Sequence, residues 1–523
     1  NHFASLNLDK GKYTLEFSTA IKTYIQVDSA ITLEADDETM KIDFGSSTDI
    51  TIGSRSRHEH PEATITTTKD PADIMEAVSY LGSAMKTFSP ERSYPTLRGH
   101  PPLIEFGDEL NVPDSLSKPE TEITIEIPAT LKHIFVSAPL SFYLGATLTK
   151  GETPKIKTSN GFEYALADIT DFETSVAQIL KQVFFLDCVT RTEGLYQVDL
   201  EERNKIESKV DLDFDALYQQ SPAKRLESYL TVDFETIRPH LPEWELTTHL
   251  APEYDNLEIL PFVINDLAII RSPAAEDETT KSEQAKAVEE FVRDDAFTRS
   301  AGETTTGTVT SIQPTETESI DQAWIGDGAP IGASKPTKTA FTNRLERTKA
   351  EGDIDITVIC NDTQMEEERD IVAETYGDRE NLPFDITMYH EVSTQGLRTL
   401  LQEPTDFLHY IGHIDDDGFE CVDGKLDTNT LDSVAIDAFF LNACQSYSQG
   451  MNLIESGSIA GVVTLSEVLN SGAVEVGSTF ARLLNRGFPF RTALNIAKEE
   501  SIVGHQYSVV GDGNLSLTQP ESG

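Results

Sequence analysis

Phe407-Leu408-His409-Tyr410-Ile411-Gly412-His413 and Phe439-Phe440-Leu441-Asn442-Ala443-Cys444-Gln445-Ser446 are the two runs whose reading decides the fold. Each is a short apolar stretch bounded by turn or polar residues, and each ends on a reactive side chain. Runs of this length suit strands buried on both faces of a parallel sheet. Parallel neighbours deliver their C-terminal ends to the same edge, where ligands of open α/β sheets bind. Two such strands side by side would therefore set His413 and Cys444 at one rim. An imidazole beside a thiol is the minimum for nucleophilic acyl transfer: the His takes the proton, the thiolate attacks, and the proton returns to the leaving amine.

The chain around these runs alternates strand and helix. Ile354 to Cys360 and Phe384 to Tyr389 read as strands. Thr363 to Tyr376 reads as a charged amphipathic helix, and Thr394 to Leu401 as a short one capped by Thr394. Asp423-Gly424 marks a hairpin between Phe419–Val422 and Lys425-Leu426. Ile459 to Leu465 is a further strand, followed by helices over Val474–Asn485 and Pro489–Glu500 and a last strand over Tyr507–Val510. This order predicts a doubly wound, mostly parallel α/β sheet over residues 350–523.

Upstream the pattern differs. Tyr13–Phe17, Thr23–Val27, Ile31–Glu34, Met40–Phe44 and Ile50–Ile52 are short alternating strands divided by turns, and Asp70-Pro71 opens a helix. This predicts a β-rich domain with one helix over 1–110. A mixed α+β region comes next over 111–272, with a hairpin at Ser159-Asn160-Gly161, an amphipathic helix through Val183, and strands over Trp244–Leu250 and Leu257–Ile270. Residues 273–349 read as a linker or long loop, because Glu, Thr, Ser and Gly dominate its first part. The Gly-rich run Gly326 to Lys335 lacks the spacing of a phosphate loop.

The 523 residues carry a formal net charge of -48, from 41 Lys+Arg against 89 Asp+Glu. Such a chain is repelled by phosphate backbones and anionic lipid, so nucleic acid and membrane surfaces are not expected partners. The acid is spread along the whole length, while apolar residues still make up 38%. Dispersed acid on a folded protein suggests a halophilic cytoplasm, where salt screens the self-repulsion. Loosening on dialysis to low salt is expected, and retained near-UV circular dichroism there would contradict it. The four cysteines, Cys188, Cys360, Cys421 and Cys444, form no disulfide framework or CxxC pair, so a reducing cytoplasm is the expected compartment. No run of apolar residues is long enough for a transmembrane helix. His58-Glu59-His60 reads as a polar loop, and neither a metal nor another cofactor is expected.

Residues from about 350 to the end resemble the CHAT family of caspase-like cysteine peptidases, relatives of caspases, metacaspases, legumain and separase. The resemblance rests on His409-Tyr410-Ile411-Gly412-His413, Leu441-Asn442-Ala443-Cys444-Gln445-Ser446 and Gly461-Val462-Val463-Thr464-Leu465, with Phe480 to Gly487, Ala493 to Ala497 and Gly511-Asp512 coming after in the same order. It implies a caspase-like fold, a dyad with His413 as base and Cys444 as nucleophile, and backbone N–H groups of Ile414 and Cys444 around the oxyanion. The family usually carries Gly where this chain has Ile414. The loop after the next strand usually lines the pocket for the residue before the scissile bond. Glu467 there, with Asp415 as second candidate, would suit a basic side chain. Recognition modules are commonly fused to such domains, which implies regulation through the N-terminal region by a protein partner. The alternative is an inactive caspase-like scaffold.

Overall fold

The computed structural model describes residues 5–17, 22–35, 40–45, 47–55, 60–166, 172–194, 199–273, 310–347, 354–361, 384–443, 445–465, 470–499 and 506–517. Contacts divide the chain into two compact units, Asn1–His60 with Pro520–Gly523, and Pro61–Gln519.

The first unit is a four-stranded antiparallel sheet. Its central strand, Lys22–Ala35, pairs with Ser5–Phe17 along one edge and with Ile50–Arg55 and then Met40–Asp43 along the other. Thr23–Val27 and Ile31–Glu34, expected as separate strands, are one. Ser29 between them stays extended because it pairs with Gly11 in the ladder and its hydroxyl donates to the Phe44 carbonyl at 2.6 Å. Directly opposed residues share a face, so Leu8 opposite Ile31, and Tyr13 and Ile50 opposite Val27, make one side apolar.

In the second unit, Asp70 accepts from the Ala72 N–H and caps the helix Pro71–Ser79, as its sequence predicts. That helix packs against the helix Leu131–Leu144 and the strand Thr147–Lys150. Residues 61–110 therefore share their core with the mixed α+β region, and not with the β-rich start where the sequence reading placed them. Trp244–Leu250 is flanked in parallel by Ile269–Arg271 and by Ser319–Ile325. The latter falls inside the span expected to be linker, and its inner residues are buried. The expected strand Leu257–Ile270 is instead the helix Leu260–Asn265 and the short strand Ile269–Arg271. Pro261 sits in the first turn of that helix, and a fully buried apolar run does not distinguish helix from strand by period.

The six-stranded sheet runs in the order Phe384–His390, Ile354–Cys360, Thr405–Ile411, Ile436–Asn442, Ala460–Thr464 and Tyr507–Gly511. All neighbours are parallel except the last pair. Period two sends Phe407, Ile411 and Phe440 to one face, against Phe480 and Phe490 of the helices Asn470–Asn485 and Phe490–Glu499. It sends Leu408, Tyr410, Phe439 and Leu441 to the other, against Leu397 and Leu453 of the helices Thr394–Gln402 and Tyr447–Glu455. Apolar residues on both faces are why these strands read as continuous runs. A Cβ at Gly461 would lie 2.0 Å from the Phe439 ring, so only glycine fits beside that aromatic. Ser393, not Thr394, caps the helix Thr394–Gln402: its hydroxyl accepts from the Gly396 N–H at 3.1 Å, while Asp423 takes the Thr394 N–H at 2.7 Å and the Thr394 hydroxyl at 3.3 Å. The expected helix Thr363–Tyr376 lies outside the described residues.

The middle region is joined to this sheet. Lys335 donates its N–H to Val509 at 2.8 Å and accepts from Gly511 at 2.9 Å, which adds a bridge beside the antiparallel edge strand. Asp321 is buried, and its carboxylate takes the Arg491 Nε–H at 2.8 Å and the Asn495 amide.

Candidate active site

The runs through His413 and Cys444 belong to adjacent parallel strands. Thr405–Ile411 pairs with Ile436–Asn442 so that Tyr410 lies opposite Leu441 and Ile411 opposite Asn442. Both strands end at the same edge of the sheet. Asn442 and Ala443 are fully buried there. His413 comes two residues after Ile411 and is half-buried. Cys444 and Glu467 lie outside the described residues.

His413 is held by its backbone. Its carbonyl accepts from the Glu420 N–H at 2.9 Å, and the Tyr410 hydroxyl lies 3.3 Å from the same oxygen and 3.0 Å from the Glu420 carbonyl. Burial raises the Tyr410 phenol well above its ordinary value, so it stays a donor. Asn361, at the end of the neighbouring strand, closes the same corner. It donates to Glu420 at 3.0 Å and accepts from the Val392 N–H at 2.9 Å.

After His413 the chain turns into a small antiparallel sheet of Ile414–Asp415, Gly418–Cys421 and Gly424–Leu426. Ile414 pairs with Phe419, and the Glu420 to His413 hydrogen bond makes this the pair without its own bonds. The Ile414 N–H therefore points away from the hairpin while its side chain is buried at 4% exposure. Asp415 was expected as a second acid for a basic substrate. One of its oxygens takes the Asp417 N–H at 3.0 Å and the other pairs with Lys425. Both contacts lie within the hairpin, and the Asp415 side chain stays 45% exposed beside Lys425.

Gln445 has φ 53°, one of the few non-glycine residues in the left-handed region among the described residues. Such a backbone costs on the order of 1 kcal/mol or more and persists only where its surroundings fix it. They do so here. The Ser446 hydroxyl is buried, accepts from the Thr464 N–H at 2.9 Å and lies 3.2 Å from the Thr464 hydroxyl, which in turn donates to the Ala443 carbonyl. The Tyr507 hydroxyl donates to the Asn442 side chain at 2.6 Å.

Gln449 joins the two halves of the rim. It sits in the first turn of the helix Tyr447–Glu455 and is 1% exposed. Its Nε2 donates to the Asp416 carbonyl at 3.3 Å and to Asp427 at 3.2 Å, and its Oε1 accepts the Thr428 N–H at 2.8 Å and the Thr428 hydroxyl at 2.6 Å. The sequence reading missed this residue. A glutamine four positions before Leu453, on the buried stripe of an amphipathic helix, was the available signal. Gln445, Ser446 and Thr464 lie within the motifs, but no pattern in the sequence announces a left-handed residue.

His409 shares the parity of His413 but does not reach the rim. It is fully buried edge-on to Phe440, ring centroids 4.8 Å apart, and burial lowers its imidazole to about 3. At neutral pH it packs uncharged.

No family model matches the chain, and no curated protein matches it in sequence. Among solved structures the chain matches the Arg-specific cysteine proteinase gingipain R, at 12% identity and TM-score 0.34 over 52% of this chain and 78% of that one. A complex of the Porphyromonas gingivalis pro- and mature domains of the same proteinase matches at 11% identity and TM-score 0.33, over 52% of this chain and 79% of that one. The Saccharomyces cerevisiae separase–securin complex matches at 9% identity and TM-score 0.29, over 64% of this chain but only 22% of that one. Among the described residues no helix is long and apolar enough to cross a membrane.

Proposed function

We propose that residues 350–523 are a cysteine endopeptidase domain with His413 as general base and Cys444 as nucleophile. One observation carries this reading: the strands ending at Ile411 and Asn442 are in register, so the residues two steps beyond each are His413 and Cys444. Both strands end at the same edge of the sheet, where ligands of open α/β sheets bind. The left-handed Gln445 supports it, since strain next to a reactive residue is characteristic of functional turns. The resemblance of this segment to CHAT peptidases agrees.

In this mechanism His413 removes the Cys444 proton and sulfur bonds to the scissile carbonyl carbon. The C–N bond breaks as the imidazolium returns the proton to the amine, and water then releases the acid from the thioester. The Ile414 and Cys444 N–H groups hold the oxyanion, each worth on the order of 3 kcal/mol. Glu467 selects a basic side chain before the cut. The β-rich first unit recruits a protein partner that regulates the domain, within a reducing cytoplasm.

A second reading, an inactive scaffold, is favoured only by Ile414, a buried branched residue where relatives have glycine. Incubation of the pure protein at molar salt with a peptide library, read by mass spectrometry, separates the two. Cleavage after Lys or Arg that is absent in Cys444→Ala supports the peptidase. Identical product spectra from both proteins would leave the scaffold.

A further inference from the structure

Away from the sheet rim, the middle region holds a cleft of about 890 Å³ between the helix Phe172–Thr190 and the segment 316–319. Its polar groups are sorted by depth. Toward the floor lie Lys181, whose side chain is 18% exposed, and Arg271, which ends the strand Ile269–Arg271. The Arg271 Nε and the Thr317 hydroxyl are both buried, and neither finds a hydrogen-bond partner among the described residues. Leaving such groups unpaired costs about 1–3 kcal/mol each, so native proteins rarely do it without a reason. Glu243, Glu316 and Glu318 line the same cleft but are exposed at its rim. Glu318 is 79% exposed and stands 3.9 Å from Lys181 and 3.7 Å from Arg238, long contacts that solvent weakens. Lys181 is accordingly held below its ordinary value, first by burial; Glu318 opposes that, and Arg271 and Arg238 add to it.

We propose that this cleft binds a small organic anion, its phosphate or carboxylate head on Arg271, Lys181 and Thr317 and its apolar body against Phe234, Leu241 and Pro242. Every unpaired group at the floor can donate a hydrogen bond, so the ligand must accept, and two cations make an anion the fitting acceptor. The volume is in the range of metabolite pockets and leaves most of the space empty around a bare ion. The rim sets three acids against the one exposed Arg238, a balance that disfavours a polyanion such as nucleic acid or an anionic membrane. Nothing in this site touches the His413 rim, and its standing is independent of the peptidase reading.

The test is calorimetric titration of the full chain, at constant ionic strength in potassium chloride, with phenyl phosphate, benzoate and inorganic phosphate. Saturable one-site binding of phenyl phosphate or benzoate is expected, the better of the two identifying the head group. Inorganic phosphate is expected to bind about tenfold more weakly, and Arg271→Gln and Lys181→Met to weaken binding by about tenfold or more each. Should Arg271→Gln fail to fold by circular dichroism, Lys181→Met, at a part-exposed position, carries the comparison. Absence of saturable binding by both aromatic probes overturns the proposal. So does equal binding in wild type and variant. Inorganic phosphate binding as tightly as phenyl phosphate means an adventitious ion only, which overturns it as well.

Discussion

Two polar centres of the second unit are built on opposite plans. In the middle region, Asp187 is fully buried between two buried arginines. It takes the Arg92 Nε–H at 2.7 Å and the Tyr143 hydroxyl at 3.0 Å on one oxygen, and the Tyr229 hydroxyl at 3.2 Å on the other, with Arg225 at 3.6 Å. Burial raises both tyrosines well above their ordinary values, so they remain donors. At the sheet rim the buried groups are neutral: Asn442, Ser446, Gln449, Thr464 and Tyr507. His413, two residues beyond the end of the neighbouring strand, is half-exposed. Buried charge locks a core at a desolvation cost and is out of reach of any substrate. Neutral amides and hydroxyls fix backbone positions at a lower desolvation cost. The difference teaches that the candidate site is recognised by what its neutral frame holds in place, and not by the density of charge.

The largest effect should come from the charged centre. Asp187→Ala leaves two arginines uncompensated and is expected to cost about 3–5 kcal/mol, read as a lower denaturation midpoint. A loss under about 1 kcal/mol would show that the centre is hydrated and would erase the contrast.

Acid should attack the sheet next. The His409 imidazole falls from its ordinary value to about 3 on folding, so the unfolded chain binds the extra proton. Its contribution is complete above pH 6.5 and is lost as pH falls toward 3. By pH 4 the loss is about 3 kcal/mol. Asp266 and Asp437, raised to about 6 by burial, act in the opposite sense. The clean measure is therefore the stability difference between wild type and His409→Asn at pH 7 and at pH 4, which should narrow by that amount. An unchanged difference would place the His409 ring in water.

These centres were not equally legible in the sequence. The parallel sheet was, because Phe407–Ile411 and Phe439–Leu441 are apolar at nearly every position, and only two-sided burial demands that. The hairpin near Asp423-Gly424 was, because its turn chemistry is local, although its tip is Val422-Asp423 and Gly424 lies in the strand opposite Cys421. The Asp187 centre was not. Arg92, Tyr143, Asp187 and Arg225 are far apart along the chain, and no period connects them. Leu257 to Ile270 misled for the converse reason, since a run buried on all sides carries no period. The rim was half legible. His413 and Cys444 are proposed from residue type and position, whereas Gln449 and the backbone of Gln445 depend on contacts formed only once the strands are side by side.

The frame itself gives smaller effects. Gln449→Leu strands the Thr428 N–H and the Asp416 carbonyl, while the Thr428 hydroxyl keeps the Gln449 backbone carbonyl at 3.1 Å, with an expected cost of about 2 kcal/mol. If the frame serves the site, any turnover should fall more than this loss of stability explains, while KM stays the same. Gln445→Gly relieves the left-handed backbone and should stabilise by up to about 1 kcal/mol in thermal unfolding. A destabilisation there would mean that the Gln445 side chain, and not its backbone, matters.

The central claim is that the two register-matched strand ends set an imidazole against a sulfur. The most direct measurement is the rate of alkylation at Cys444 by a thiol-reactive probe, followed by peptide mapping, in wild type and in His413→Ala. The account predicts rapid labelling at Cys444 in wild type near neutral pH and its collapse in the variant, with Cys360 and Cys421, both buried, slow in each. Equal labelling of Cys444 in the two proteins would mean an ordinary exposed thiol and would contradict it.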